Sequence, residues 1–110
     1  MATGGLAYAG EEEAALALVV AVLHAELRLA EAFSLKDKRA VLQSLLRRTA
    51  RRFHVSVAEV AHQDDIRRAG IAVAVVGSDG RVVERLLGQV LAFIEAGYPI
   101  EVVSQEVERR

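Results

Sequence analysis

The spacing of hydrophobic positions changes several times along the chain, and each change marks an element. Between residues 18 and 29 apolar and polar side chains alternate: Leu23, Ala25, Leu27 and Leu29 point one way, His24, Glu26 and Arg28 the other. A period of two means a strand with one buried face and one polar face. After a loop at 30–33 the period lengthens. At 100° per residue, Leu42, Leu45, Leu46, Thr49 and Phe53 share one side of a helix that starts at Ser34. Ser34 followed by Asp37 is a start signal, because a hydroxyl caps a free N–H and an acid sits in the first turn.

Residues 55–62 predict a second strand whose alternation is blurred, Ser56, Ala58 and Val60 standing against Val57, Glu59 and Ala61. Residues 63–68 read as a charged turn. The run at 70–76 is apolar on both faces, as a central strand should be. Gly77-Ser78-Asp79-Gly80 then turns the chain and caps a second helix. Val83, Leu87, Val90 and Ile94 form its core stripe, with Arg81, Glu84, Gly88 and Glu95 on its back. Gly97 and Pro99 stop that helix, and 100–107 form the last strand.

The order β-α-β-β-α-β predicts an α+β, ferredoxin-like sandwich. Its four-stranded antiparallel sheet should run in the order 4-1-3-2, with right-handed crossovers and both helices on one face. The other face is left open. Residues 1–15, with Gly4-Gly5, Gly10 and three consecutive Glu, lack sustained periodicity and are read as a flexible N-terminal extension. A short helix over 11–18 is the alternative there. Residues 16–110 form a single domain, which is what a chain of 110 residues accommodates.

Charge adds one feature. Residues 36–52 contain seven cations (Lys36, Lys38, Arg39, Arg47, Arg48, Arg51, Arg52) and one acid, Asp37, a local +6 in a chain whose total is −1. Lys36, Ala40, Gln43, Arg47 and Arg51 lie opposite the core stripe, with Arg39 and Arg48 on the flanks. Lys38 and Arg52 fall nearer the core side and are expected to snorkel from the helix ends. Such a cluster is either a solvated face whose last-turn arginines complement the helix dipole, or a contact for an anionic partner such as RNA.

Several classes of chemistry drop out. The absence of cysteine removes disulfides, thiolate metal sites and cysteine nucleophiles. No apolar run reaches the roughly 18–20 residues of a membrane span, and the apolar stretch at 14–23 follows three Glu instead of a basic segment; no membrane role and a cytoplasmic location are expected. His62-Gln63-Asp64 is the best polar loop candidate, either a proton-sharing or metal-binding pair or a structural turn in which Asp64 bonds backbone N–H groups. His24 is expected to be a cross-strand partner on the open face. Acylphosphatases share the topology but need an Asn, and this chain has none. RNA-recognition domains stack bases on aromatics of the central strands, whereas Tyr8, Phe33, Phe53, Phe93 and Tyr98 all lie off the first and third strands. No catalytic residues, metal, cofactor or small-molecule substrate are expected.

Glu26-Leu27-x-Leu29, then Ser34-Leu35-Lys36-Asp37-Lys38-Arg39, then Val55-Ser56-Val57-Ala58-Glu59-Val60 and His62-Gln63-Asp64 together resemble the small bacterial YlxP-like proteins, domain of unknown function 503, over about residues 20–107. The resemblance implies a ferredoxin-like fold and a loose link to translation and ribosome maturation, with no established activity. This chain departs from the family pattern at Ala61, where an acid is usual, and at Asp65-Ile66.

Two functions are therefore expected in parallel. One is a non-enzymatic binding module that contacts structured RNA or the ribosome through Lys36, Arg39, Arg47, Arg48 and Arg51. The alternative is a homodimeric interaction domain that uses the open sheet face and has no nucleic-acid role.

Overall fold

The computed structural model describes residues 17–110. The extension expected over 1–15, and nearly all of the alternative helix over 11–18, lie outside the described residues. The elements are β1 (Val19–Arg28), α1 (Leu35–Phe53), β2 (Ser56–Ala61), β3 (Arg68–Gly77), α2 (Gly80–Gly97) and β4 (Glu101–Arg109). The strands form one antiparallel sheet in the order β2-β3-β1-β4, the expected order read from its other edge.

Register follows from the alternation in β1. Leu23 lies opposite Val73, Ala25 opposite Ile71 and Leu27 opposite Ala69. These six side chains are buried, together with Leu42 and Leu45 of α1 and Val83, Leu87, Val90 and Ile94 of α2. A slip of one residue would turn the whole set outward, so the buried face locks the pairing.

The helix ends are explained by their local residues. Ser34 is extended, and its hydroxyl accepts from the Asp37 N–H at 3.0 Å. The Asp37 carboxylate in turn accepts from the Phe33 N–H at 3.1 Å. At the other end His54 takes a left-handed backbone, φ 54°, which lets the chain reverse directly into β2. Asp79 caps α2 by accepting from the Arg81 N–H at 2.9 Å. Gly97 is the last residue of α2, and no described glycine has a positive φ. The stop is instead Tyr98, extended because Pro99 follows it.

The blurred alternation of β2 has a structural cause. Its register on β3 shifts between Glu59 and Ala61, leaving Val60 as an extra residue. A second irregularity lies across the sheet, where Val103 of β4 is skipped opposite Glu26 and Leu27. Both flank the row that contains Gly70. A Cβ at Gly70 would stand 2.7 Å from the Ala61 Cβ and 3.1 Å from Glu26 Oε2, so only glycine lets the strands close up there.

Candidate nucleic-acid interface

The outer face and flanks of α1 carry Lys36, Arg39, Arg47, Arg48 and Arg51 as its periodicity requires, and Arg52 reaches the surface from nearer the core side. Lys36, Arg39, Arg47, Arg48, Arg51 and Arg52 are exposed, and among the described residues none of them is ion-paired. The strand cations behave differently. Arg28 meets Glu101 at 2.7 Å, Arg68 meets Glu26 at 3.3 Å and Arg109 meets Glu84 at 3.2 Å.

Aromatic rings between the helices hold part of this face in place. Phe53 and Phe93 meet edge to face at 5.5 Å. The Arg52 guanidinium lies 5.3 Å from the Phe93 centroid and 5.6 Å from that of Phe53. Arg48 sits 5.7 Å from both Phe93 and Tyr98 and donates to the Tyr98 hydroxyl at 3.3 Å. Arg52 thus reaches solvent over the rings, as snorkelling requires. Arg48, Arg51, Arg52 and Phe93 line a shallow concavity at the C-terminal end of α1.

Lys38 does not snorkel, and this corrects the sequence expectation. It is 1% exposed. Its Nζ donates to the carbonyl oxygens of His62 at 2.6 Å and Asp65 at 2.7 Å, with the Gln63 oxygen at 3.4 Å. Glu59 Oε2 lies 3.0 Å away as the counter-charge; that contact is ionic, and the oxygen makes no hydrogen bond of its own. The amine therefore turns inward because residues 62–65 offer it a ring of carbonyls. The signal was present in the pattern: Lys38 falls on the core side of α1, and Glu59 shares the inward parity of Val57.

The loop itself is also arranged differently from the His62–Asp64 pairing. Asp64 is exposed and has no hydrogen bond or ion pair among the described residues. Asp65 organises the turn, accepting from the Arg67 N–H at 3.0 Å, while its own N–H donates to the His62 carbonyl at 3.0 Å. Gln63 is exposed, and its backbone oxygen faces Lys38. His62 takes a left-handed backbone, φ 61°, and its Nε2 lies 3.0 and 3.1 Å from the two Glu26 oxygens. Arg68 joins the same carboxylate. Glu26 and Arg68 were missed as partners of His62 because they lie on other strands.

His24 is the cross-strand partner expected, 3.4 Å from Glu108. Its hydrogen bond, together with Arg110, holds the Glu108 carboxyl below the usual carboxylate range. Such a depressed acid adds stability above its ordinary pKa, and that stability is lost as the pH falls through the lowered value. Among the described residues no group of three or more His, Cys, Asp or Glu is placed to hold a metal ion. No helix among them is long and apolar enough to cross a membrane.

Comparison of the sequence with known proteins identifies a family. A profile described as "Protein of unknown function (DUF503)" covers residues 20–107. The uncharacterised protein YlxP of Bacillus subtilis (strain 168) is 42% identical over 71 residues, spanning 64% of this chain and 77% of that relative. The matched span takes in all of α1 and its capping residues, the loop that Lys38 holds and most of the sheet; the chain belongs to the DUF503 family.

Proposed function

We propose that the protein is a non-enzymatic binding module that lays the outer face of α1 on the phosphate backbone of structured RNA. One observation carries this reading: the strand cations are each ion-paired, whereas six exposed cations on one helix have no carboxylate partner among the described residues. Unpaired surface cations held close together attract a polyanion and release its counterions on contact. The open sheet face is a poor rival for the same ligand, because Glu26, Glu101, Glu106 and Glu108 there exceed Arg28, Arg68 and Arg110, and each of those arginines is paired to one of these carboxylates.

Six phosphate contacts give an expected slope of about −5 for log affinity against log salt on a duplex. Replacing Arg47 and Arg51 together by Gln should weaken binding to ribosomal subunits or a hairpin RNA and flatten that slope by about 2. Co-sedimentation across a salt series measures both. An unaltered slope in the double variant would remove α1 as the contact.

A second reading, homodimerisation through the open sheet face, has its own support. Val76 is 68% exposed there, beside Val20 on β1 and in line with Ala72 and Ala74 on β3, and no described helix packs on that side. An uncovered apolar strip on a small domain favours a partner. Light scattering should then give twice the chain mass, and replacing Val76 by Lys should halve it. A mass that stays at one chain on concentration removes this reading.

A further inference from the structure

Phe33 is the most exposed large hydrophobic side chain among the described residues, at 76%, and it is held in place on several sides. Its N–H is tied to the Asp37 carboxylate inside the capping turn of α1. The Arg67 guanidinium lies 5.6 Å from the ring centroid. The backbone of Arg67 is itself fixed: its N–H donates to Asp65, its carbonyl accepts from the Leu29 N–H at 2.8 Å, and the Asp65 carbonyl is gripped by buried Lys38. A bare phenyl ring in water is unfavourable unless something covers it. Here the backbone on both sides of it is tied down by hydrogen bonds.

We propose that Phe33 is a stacking platform for one unpaired base of the RNA that α1 holds by its phosphates. This assignment rests on the phosphate-binding reading of α1 and adds to it which part of an RNA is recognised. Charge chooses the occupant. The ring sits at the N-terminal end of the basic helix, three residues before exposed Lys36 and with the Arg67 guanidinium against it, while the Asp37 carboxylate beside it is engaged by the Phe33 N–H; a base brings its own phosphate to such cations. Aromatic rings and guanidinium planes are the surfaces on which unstacked bases of loops and bulges settle. A paired duplex offers no free base face, so the platform selects RNA with a bulge or loop. The sheet face takes no part in this stacking.

The test compares a hairpin RNA carrying a single bulged 2-aminopurine with the same hairpin fully paired, using the full chain. Wild-type protein should bind the bulged hairpin roughly 10-fold more tightly and quench its fluorescence. Phe33→Ala should abolish both the preference and the quench while keeping the salt slope. Phe33→Tyr should retain all three. The Arg47→Gln, Arg51→Gln variant should lose affinity for both hairpins equally and keep the preference.

Because Phe33 is exposed, its variants should melt with the wild type. Equal binding of the two hairpins, or a quench that survives Phe33→Ala, overturns the stacking role and leaves the phosphate reading standing. No binding of either hairpin overturns both. If Phe33→Ala instead lowers the mass of the free protein, the ring is a contact between copies of the chain and the assignment is wrong.

Discussion

Replacing Lys38 by Met should lower the unfolding free energy by about 3–5 kcal/mol, the usual loss when one member of a buried charged pair is removed. Methionine keeps the unbranched stem, one atom shorter, and donates nothing. Glu59 would keep its charge with no cation beside it, and the carbonyls of His62, Gln63 and Asp65 would face an apolar atom. For a domain of this size the melting temperature should fall by more than about 10 °C. Urea unfolding gives the energy directly. Lys36→Met, two residues away and exposed, is the control and should stay within about 0.5 kcal/mol of wild type. Adding Glu59→Gln to Lys38→Met should recover part of the loss, since the stranded charge is gone. A loss below about 1 kcal/mol would mean that the amine is not what closes the 62–65 loop.

Leu45→Ala should cost about 3–5 kcal/mol. Leu45 is fully buried at the centre of the inner stripe of α1, so truncation leaves a cavity that the sheet beneath can only partly fill. Out of a total stability of roughly 5–15 kcal/mol, that approaches unfolding. The denaturation midpoint should move while its slope stays constant, because the surface exposed on unfolding hardly changes. A small effect would mean that α1 is loosely seated on the sheet, and a loosely seated helix could not hold its outer cations in a defined array.

These two substitutions probe different parts of one design. Leu45 seats the helix, and Lys38 ties that helix to the loop that carries Arg67. Through Arg67 the tie reaches Phe33. The string Ser34-Leu35-Lys36-Asp37-Lys38-Arg39 thus has separable tasks: Ser34 and Asp37 cap, Lys38 clamps, and Lys36 and Arg39 face solvent.

Much of the fold was legible from local pattern. The alternation at 18–29 placed β1 with its correct inward residues, and the four core positions of α2 were read without error. Strand order followed from element order and the antiparallel pairing it entails. The β2 bulge was visible only as a blur, because an extra residue in one strand has meaning only against the partner that it fails to match. The candidate interface was half legible. Which cations share the outer face of α1 follows from 100° per residue, but whether a carboxylate comes to meet them does not.

Periodicity, capping and charge count are properties of neighbours along the chain, so residues alone settled the two helices, the four strands, the buried face of the sheet and the excess of positive charge on α1. Contacts between residues far apart in sequence were decided by the folded chain. Lys38 meets carbonyls 24 to 27 positions away, and His62 finds Glu26 36 positions back instead of Asp64 beside it. Arg67 comes to rest against Phe33. A side chain's charge is written in the sequence, but its environment is set by whatever the topology brings within a few ångströms.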